Sequence, residues 1–172
     1  MEKKILNDFC FHKPKTLDEA LVLIDKYQEN GLLMEGGSEV IPNMKSLVVT
    51  PDHIISLKHI PEFDYITYTP GKGLHIGPSC TLTKVEYDPD VQTVYPSLYM
   101  GVHGMSNTNI HNISTVTGNI CYAVPSADTA APLLTLNAEL SVKSVDGERK
   151  VPITELFAGV RRTTLKKNEI VT

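Results

Sequence analysis

The most restrictive stretch of the chain is Leu32-Leu33-Met34-Glu35-Gly36-Gly37-Ser38, a short apolar run that stops on two consecutive glycines. A run this short cannot bury a helical stripe, so Leu32 to Glu35 reads as a buried strand. Two glycines leave no Cβ in the way of a tight turn, and Val40 to Ser46 then reads as a short helix. Upstream, Thr16-Leu17-Asp18-Glu19 has the form of a capping box. In it the Thr16 hydroxyl accepts the Glu19 amide, and the Glu19 side chain returns to the Thr16 amide. Leu17, Ala20, Leu21 and Ile24 recur at helical spacing, with Asn30-Gly31 as the stop. His53 to Leu57 follows Pro51 as another strand, and Asp8 to His12 offers one more at the start. Strands and helices in this alternation imply a small α/β layer with parallel pairing.

The character changes near residue 58. Tyr65 to Tyr68 and Leu74 to Ile76 flank Pro70-Gly71-Lys72-Gly73, a hairpin signature, and Glu139 to Lys143 and Arg149 to Val151 flank Asp146-Gly147 in the same way. Thr81 to Glu86 and Pro96 to Met105 read as helices, and Pro152 to Phe157 as a short helix start. The expected fold class is therefore α+β: a small α/β unit over 1–58, then a larger α+β unit over 59–172 on a mainly antiparallel sheet. Lys167 to Thr172 opens a strand with no visible partner, which fits either a frayed terminal strand or a fragment. No internal repeat or low-complexity segment is evident.

Composition removes several classes of function. With 16 Lys and Arg against 20 Asp and Glu, and no basic run, nucleic acid is not an expected partner. No stretch approaches the length of a membrane span, and the opening MEKKILNDF lacks a signal-peptide core, so cytoplasmic placement is expected. Cys10, Cys80 and Cys121 are odd in number and far apart, which argues against a disulfide framework and a C-x-x-C metal site. Three thiols are too few to hold an iron–sulfur cluster within the chain. The six histidines, His12, His53, His59, His75, His103 and His111, show no metal-ligand spacing.

Two loops carry the chemistry. In Met34-Glu35-Gly36-Gly37-Ser38-Glu39-Val40, successive amides aimed at a helix start can form a nest for an anion such as a pyrophosphate, with the Ser38 hydroxyl adding a bond. A plain tight turn gives the same pattern. It is neither a P-loop, since no Gly-Lys-Ser/Thr follows, nor the G-x-G-x-x-G fingerprint. The second loop is Thr115-Val116-Thr117-Gly118-Asn119, followed by Pro125-Ser126-Ala127-Asp128. Amides near Gly118 can hold a second phosphate, with Thr115 and Asn119 as side-chain donors. Pro125-Ser126 reads as a helix start, where Asp128 either accepts a ribose hydroxyl or stabilises the helix dipole.

Read together and in order, these segments resemble the flavin subunits of the xanthine dehydrogenase and carbon monoxide dehydrogenase family of molybdenum hydroxylases. LLMEGGSEVIPNMK is similar to the family's first FAD loop, Ala/Val-Gly-Gly-Thr-Asp/Glu-Leu and then Met-Lys. NIHNISTVTGNICYAVPSADTAAPLLTLNAEL is similar to its second, Gln-Ile-Arg-Asn, Thr-Ile-Gly-Gly-Asn and Ser-Pro-x-x-Asp. FCFHKPKTLDEALVLI and GERKVPITELFAGVRRTTLKKNEIV resemble the family's opening and the segment after its second hairpin.

The resemblance implies the FAD-binding fold also seen in vanillyl-alcohol-oxidase-type flavoproteins, of the PCMH type, with FAD between the two units. It implies that Leu33, Met34, Glu35, Gly36, Gly37, Ser38, Glu39 and Val40 wrap the cofactor. Thr115, Val116, Thr117, Gly118 and Asn119 form a second wall, Asp128 lies by the ribose or adenine end, and Val171 sits near the flavin. No acid–base or nucleophilic residue is implied. The 2Fe–2S centres and molybdopterin belong to partner subunits, and electrons leave FAD for NAD or another acceptor. Two residues depart from the pattern: His111 replaces an arginine anchor, and Thr117 replaces the first glycine of Gly-Gly-Asn. Thr117 predicts a weaker hold on FAD or a different loop geometry, and His111 a core or surface role. The family's C-terminal domain has no counterpart in this sequence. The alternatives are an assembly or scaffold subunit that no longer binds FAD, and a simple nucleotide-binding module.

Overall fold

The computed structural model describes residues 6–172; Met1 to Ile5, part of the opening without a signal-peptide core, lie outside the described residues. The first layer is a three-stranded parallel sheet of β1 (Cys10–His12), β2 (Gly31–Met34) and β3 (His53–Ser56), in the order β1-β3-β2. Helix α1 (Leu17–Tyr27) joins β1 to β2, and α2 (Val40–Lys45) joins β2 to β3. Helix α1 starts because the Thr16 hydroxyl accepts the Glu19 amide at 3.2 Å. The returning Glu19 carboxylate takes the amide of Lys15 at 2.7 Å, one residue earlier than the capping box predicts. Ala20, Leu21 and Ile24 of α1 are buried beside Ile55 and Leu57.

Gly31 does not stop α1, which ends at Tyr27; it opens β2 instead. The Asn30 carbonyl accepts the amides of Asp52 and His53, so the chain is drawn into the sheet at that point. Nor is β2 fully buried. It is an edge strand, all four of its residues stay partly exposed, and Leu32 and Leu33 border a cavity. The central strand β3 carries the burial that the sequence assigns to β2, with Ile54 and Ile55 essentially inaccessible.

Two single turns of 3-10 helix, Leu57–His59 and Pro61–Phe63, lead out of this layer. The hairpin of β4 (Ile66–Thr69) and β5 (Gly73–Ile76) comes next. Helices α3 (Leu82–Tyr87), α4 (Pro89–Val94), α5 (Pro96–His103), α6 (Thr108–His111), α7 (Val116–Cys121) and α8 (Ala130–Thr135) then follow in close succession. Their apolar faces form one core with Leu140, Val142, Val151, Ile153 and Leu156. Those residues come from β6 (Glu139–Ser144), β7 (Gly147–Pro152) and the short α9 (Ile153–Leu156).

Among the described residues the antiparallel strands fall into three pieces and not one sheet. These are the β4–β5 hairpin, the small pair of β8 (Phe157–Gly159) and β9 (Arg162–Thr163), and a sheet ordered β10-β6-β7. The last strand, β10 (Ile170–Val171), therefore does find a partner: Ile170 pairs with Lys143 and Val171 with Val142. Ile170 is fully buried in the core of the first layer, beside residues of α1 and β3. Burying such a side chain contributes about 2 kcal/mol, enough to hold a two-residue strand. Arg149 grips the same segment with two 2.8 Å bonds to the buried Glu169 carboxylate, which also accepts the Lys166 amide at 2.7 Å. That pairing holds the Glu169 carboxyl below its ordinary range.

Candidate cofactor-binding cavity

Between the parallel layer and the helical part lies a cavity of about 730 Å³. One wall is the turn that follows β2. Gly37 takes a positive φ of 74°, and Ile41 donates its amide to the Gly37 carbonyl, so α2 grows directly out of the turn. Gly36 is a glycine for a different reason: a Cβ there would stand 1.8 Å from the Ile113 carbonyl oxygen. The first loop is thus pressed backbone to backbone against the residues that precede α7. A 2.8 Å bond from the Ser114 hydroxyl to that of Ser38, and a 3.1 Å bond from Asn43 to the Tyr122 hydroxyl, tie the same seam. Among the described residues no protein acceptor takes the amides of Gly37 and Ser38.

The opposite wall is not a loop. Residues 116–121 form α7, with Thr115 as its N-cap. The Thr115 hydroxyl accepts the Gly118 amide at 2.9 Å, so that amide is already satisfied. Of the amides at this end, that of Thr117 is left without a protein acceptor among the described residues, whereas Val116 follows the bridge that pairs Thr115 with Thr81. Asn119 is also engaged, its Oδ1 accepting the Thr129 hydroxyl at 2.6 Å. Both bonds use acceptor oxygens, so the Thr115 hydroxyl hydrogen and the Asn119 Nδ2 group are not consumed by them. Asp128 is exposed on the cavity rim, in the turn before α8, which begins at Ala130 and not at Pro125.

Leu33, Glu35, Gly36, Gly37, Ser38, Glu39, Val40, Thr115, Thr117, Gly118, Asn119, Asp128 and Val171 all border the cavity, whereas Met34 and Val116 do not. Met34 turns away because its sulfur folds back onto the Gly37 turn. Val116 is buried in the helical core. The wall goes beyond the residues expected from sequence, taking in among others Gln28 and Glu29 after α1, Met105, Ser106 and Ile110 after α5, Cys121 and Tyr122 at the end of α7, and 165–167 before β10. The last is brought in by the pairing of β10 with β6, a partner outside its own stretch of sequence, which leaves no local signal.

Glu35 also differs from its expected place in an apolar run. Its Oε2 accepts the Ser79 hydroxyl at 2.6 Å, while Oε1 is buried without a protein partner among the described residues. Burial outweighs the Ser79 bond and pushes the carboxyl up to about 7. Cys121 nearby is pushed up to about 12, first by burial and then by Glu35, so its thiol stays protonated.

Residues 7–172 match the family described as the FAD binding domain in molybdopterin dehydrogenase. The chain belongs to this family.

Among its relatives are a nicotinate dehydrogenase FAD-subunit of Eubacterium barkeri, 30% identical over 97% of the chain and 57% of the relative. A putative xanthine dehydrogenase FAD-binding subunit of Escherichia coli K12 is 32% identical over 95% of the chain and 56% of the relative. The solved carbon monoxide dehydrogenase of Hydrogenophaga pseudoflava superposes with a TM-score of 0.93 at 28% identity, covering 97% of this chain and 58% of that one. The fold is therefore the family's α+β FAD-binding fold. The chain spans a little over half the length of these relatives.

Within this FAD-binding domain the two departures from the pattern have physical accounts. His111 is buried and stands off the cavity, with Nδ1 2.8 Å from Glu86 Oε2 and Nε2 bonded to the Met105 carbonyl. It is a core histidine that fixes the chain leading into α7. Glu86 also takes His103 at 2.8 Å, and the two histidines hold its carboxyl below the ordinary range. Thr117 lies in the first turn of α7, where a side chain is accepted without backbone strain. The altered geometry expected of this loop is a capped helix start.

Proposed function

We propose that this chain holds FAD in the 730 Å³ cavity and serves as the flavin-bearing electron-transfer part of a multi-subunit molybdopterin dehydrogenase. The observation that carries the reading is the cavity itself, bordered on one side by Gly36-Gly37-Ser38 and on the other by the capped start of α7. The unpaired amides of Gly37 and Ser38 fit a pyrophosphate oxygen, as does that of Thr117 on the facing wall. Asp128, exposed on the rim, suits the hydroxyls of the ribose at the adenine end. Val171 suits the edge of the flavin, where an apolar side chain excludes water. Segments 1–58 and 59–172 act as the two jaws around the cofactor.

FAD supplies two-electron chemistry on one side and one-electron exchange on the other. The chain's own residues bind, orient and shield it, and none is assigned a nucleophilic or acid–base role. In this reading 2Fe–2S centres and a molybdopterin site reside in partner subunits. Electrons reach the flavin from the former and leave for NAD or another acceptor. An electron-transfer role is favoured over a scaffold without FAD because Thr117 raises no steric objection and the Gly36-Gly37 turn is intact. The test is a visible absorption spectrum of the purified chain with and without added FAD. Flavin bands that survive gel filtration are expected; no bands and no binding overturn the assignment.

A further inference from the structure

The wall of the cavity contains a carboxyl group that the electron-transfer role does not use. Glu35 directly precedes Gly36-Gly37, and one of its oxygens is taken by the Ser79 hydroxyl while the other, Oε1, is buried with no protein partner among the described residues. A carboxylate in that position would be a charge without compensation. Among the described residues, no cation is bonded to it. Ser79, from the loop after β5, is neutral, and its hydroxyl also lies 3.5 Å from the Leu57 carbonyl. Cys121, from α7, holds its proton. Glu39 and Asp128, which also border the cavity, are acidic, and Lys167 is paired with Glu29 at 2.6 Å. Glu169 is neutralised by Arg149, and Tyr122 is bonded to Asn43. Lys166 borders the cavity as well, but among the described residues its ammonium forms no hydrogen bond or ion pair with Glu35, and burial, against the Ser79 bond, is what raises the Glu35 carboxyl.

We propose that the cavity takes its anionic ligand together with a proton, and that Glu35 is the group that holds this proton. The inference rests on FAD being that ligand. In the free chain Glu35 is still partly open to water through the cavity wall. A bound ligand displaces that water and brings a doubly charged pyrophosphate into the same cavity. Both changes disfavour the carboxylate and neither affects the neutral acid. The balance is one proton: the Glu35 carboxylate of the free chain takes H⁺ from the buffer as the ligand enters, and returns it when the ligand leaves. With the carboxyl near half-ionised around pH 7, uptake is partial there and approaches one proton per FAD at higher pH.

The test is calorimetric titration of the chain with FAD at pH 7 and pH 8, in buffers of different ionisation enthalpy. The dependence of the observed heat on buffer counts the protons directly. The wild-type chain is expected to take up about half a proton at pH 7 and more at pH 8, with affinity falling up to tenfold per pH unit above 7. Glu35→Gln, which keeps the shape of the neutral acid, is expected to bind FAD with no proton uptake and a flat pH profile. FAD binding without uptake in the wild type, or equal uptake in Glu35→Gln, overturns the role of Glu35 and leaves the FAD assignment standing. No binding in the wild type at any pH overturns the FAD assignment and this inference with it. Should Glu35→Gln fail to fold, the wild-type profile decides alone: a flat affinity between pH 6 and 9 sinks the proposal.

Discussion

The two walls of the cavity both contain a glycine beside a hydroxyl residue, yet they need that glycine to very different degrees. At Gly36 the adjoining backbone leaves no room, since a Cβ would meet the Ile113 carbonyl at 1.8 Å and its carbon at 2.6 Å. At Gly118 the residue is exposed, and the closest obstacle to a Cβ is the Thr115 hydroxyl at 3.1 Å. The first wall is built by steric exclusion, the second by a helix cap. A glycine in a binding-loop pattern can thus mean close backbone approach in one place and a dispensable helix residue in another.

The most forceful way to break this comparison is Gly36→Ala. Backbone atoms cannot swing aside as a side chain can, so the seam between β2 and α7 must open. A loss of about 3 kcal/mol or more in urea unfolding is expected, with loss of FAD binding. Wild-type stability in that variant would refute the steric account of the first wall.

The next effect in size belongs to Glu35, on the same wall. Its carboxyl is raised from 4.5 in the unfolded chain to about 7 in the fold. The folded state therefore binds the proton more tightly. The associated stability is complete below pH 4.5 and is lost as pH rises to about 7 and beyond. The shift corresponds to about 3 kcal/mol. Urea unfolding across pH 5 to 8 should show the wild-type chain losing stability relative to Glu35→Gln by most of that amount. Parallel profiles for the two proteins would remove Glu35 as the source.

For the second wall the largest expected effect is smaller. Thr115→Ala deletes the hydroxyl that caps α7 and should cost about 1 kcal/mol, while Thr115→Ser keeps the cap and should cost less. The cofactor readout sharpens the contrast. Freeing the Gly118 amide leaves that of Thr117 where it is, so FAD affinity should fall modestly and not vanish.

How much of this was legible in the sequence follows the same division. Local rules carry α1, whose Thr16 cap and buried Ala20, Leu21 and Ile24 are written in contiguous residues, and the two glycine hairpins at β4–β5 and β6–β7. They carry the turn at Gly36-Gly37 as well. They fail where the deciding partner is remote. Glu35 sits in an apolar run, and only Ser79, 44 residues on, and the closing of the cavity reveal it as a buried acid. The terminal strand looked unpaired because its partner, β6, lies far upstream. The segment after Thr115 looked like a loop because its glycine hides a helix. The hydroxyl that caps it, three residues before the Gly118 amide, is the signal that identifies it. Asp88-Pro89 is a signal of the same kind for α4, with the Asp88 carboxylate accepting the amides of Asp90 and Val91 at 3.0 Å.

The smallest expected effect is also the one that isolates the contrast best. Gly118→Ala replaces an exposed glycine inside a helix, where alanine gains up to about 1 kcal/mol of helix propensity. Against that gain stands the new contact with the Thr115 hydroxyl, tighter than ordinary packing and adjustable by a small rotation of that side chain. The two terms nearly cancel, so the change in stability should lie within about 0.5 kcal/mol. The Gly118 amide is taken by Thr115 in either variant, so FAD affinity should also be unchanged. A loss of FAD binding on Gly118→Ala, at unchanged stability, would mean that the ligand approaches this backbone as closely as Ile113 approaches Gly36. Both walls would then be built by steric exclusion.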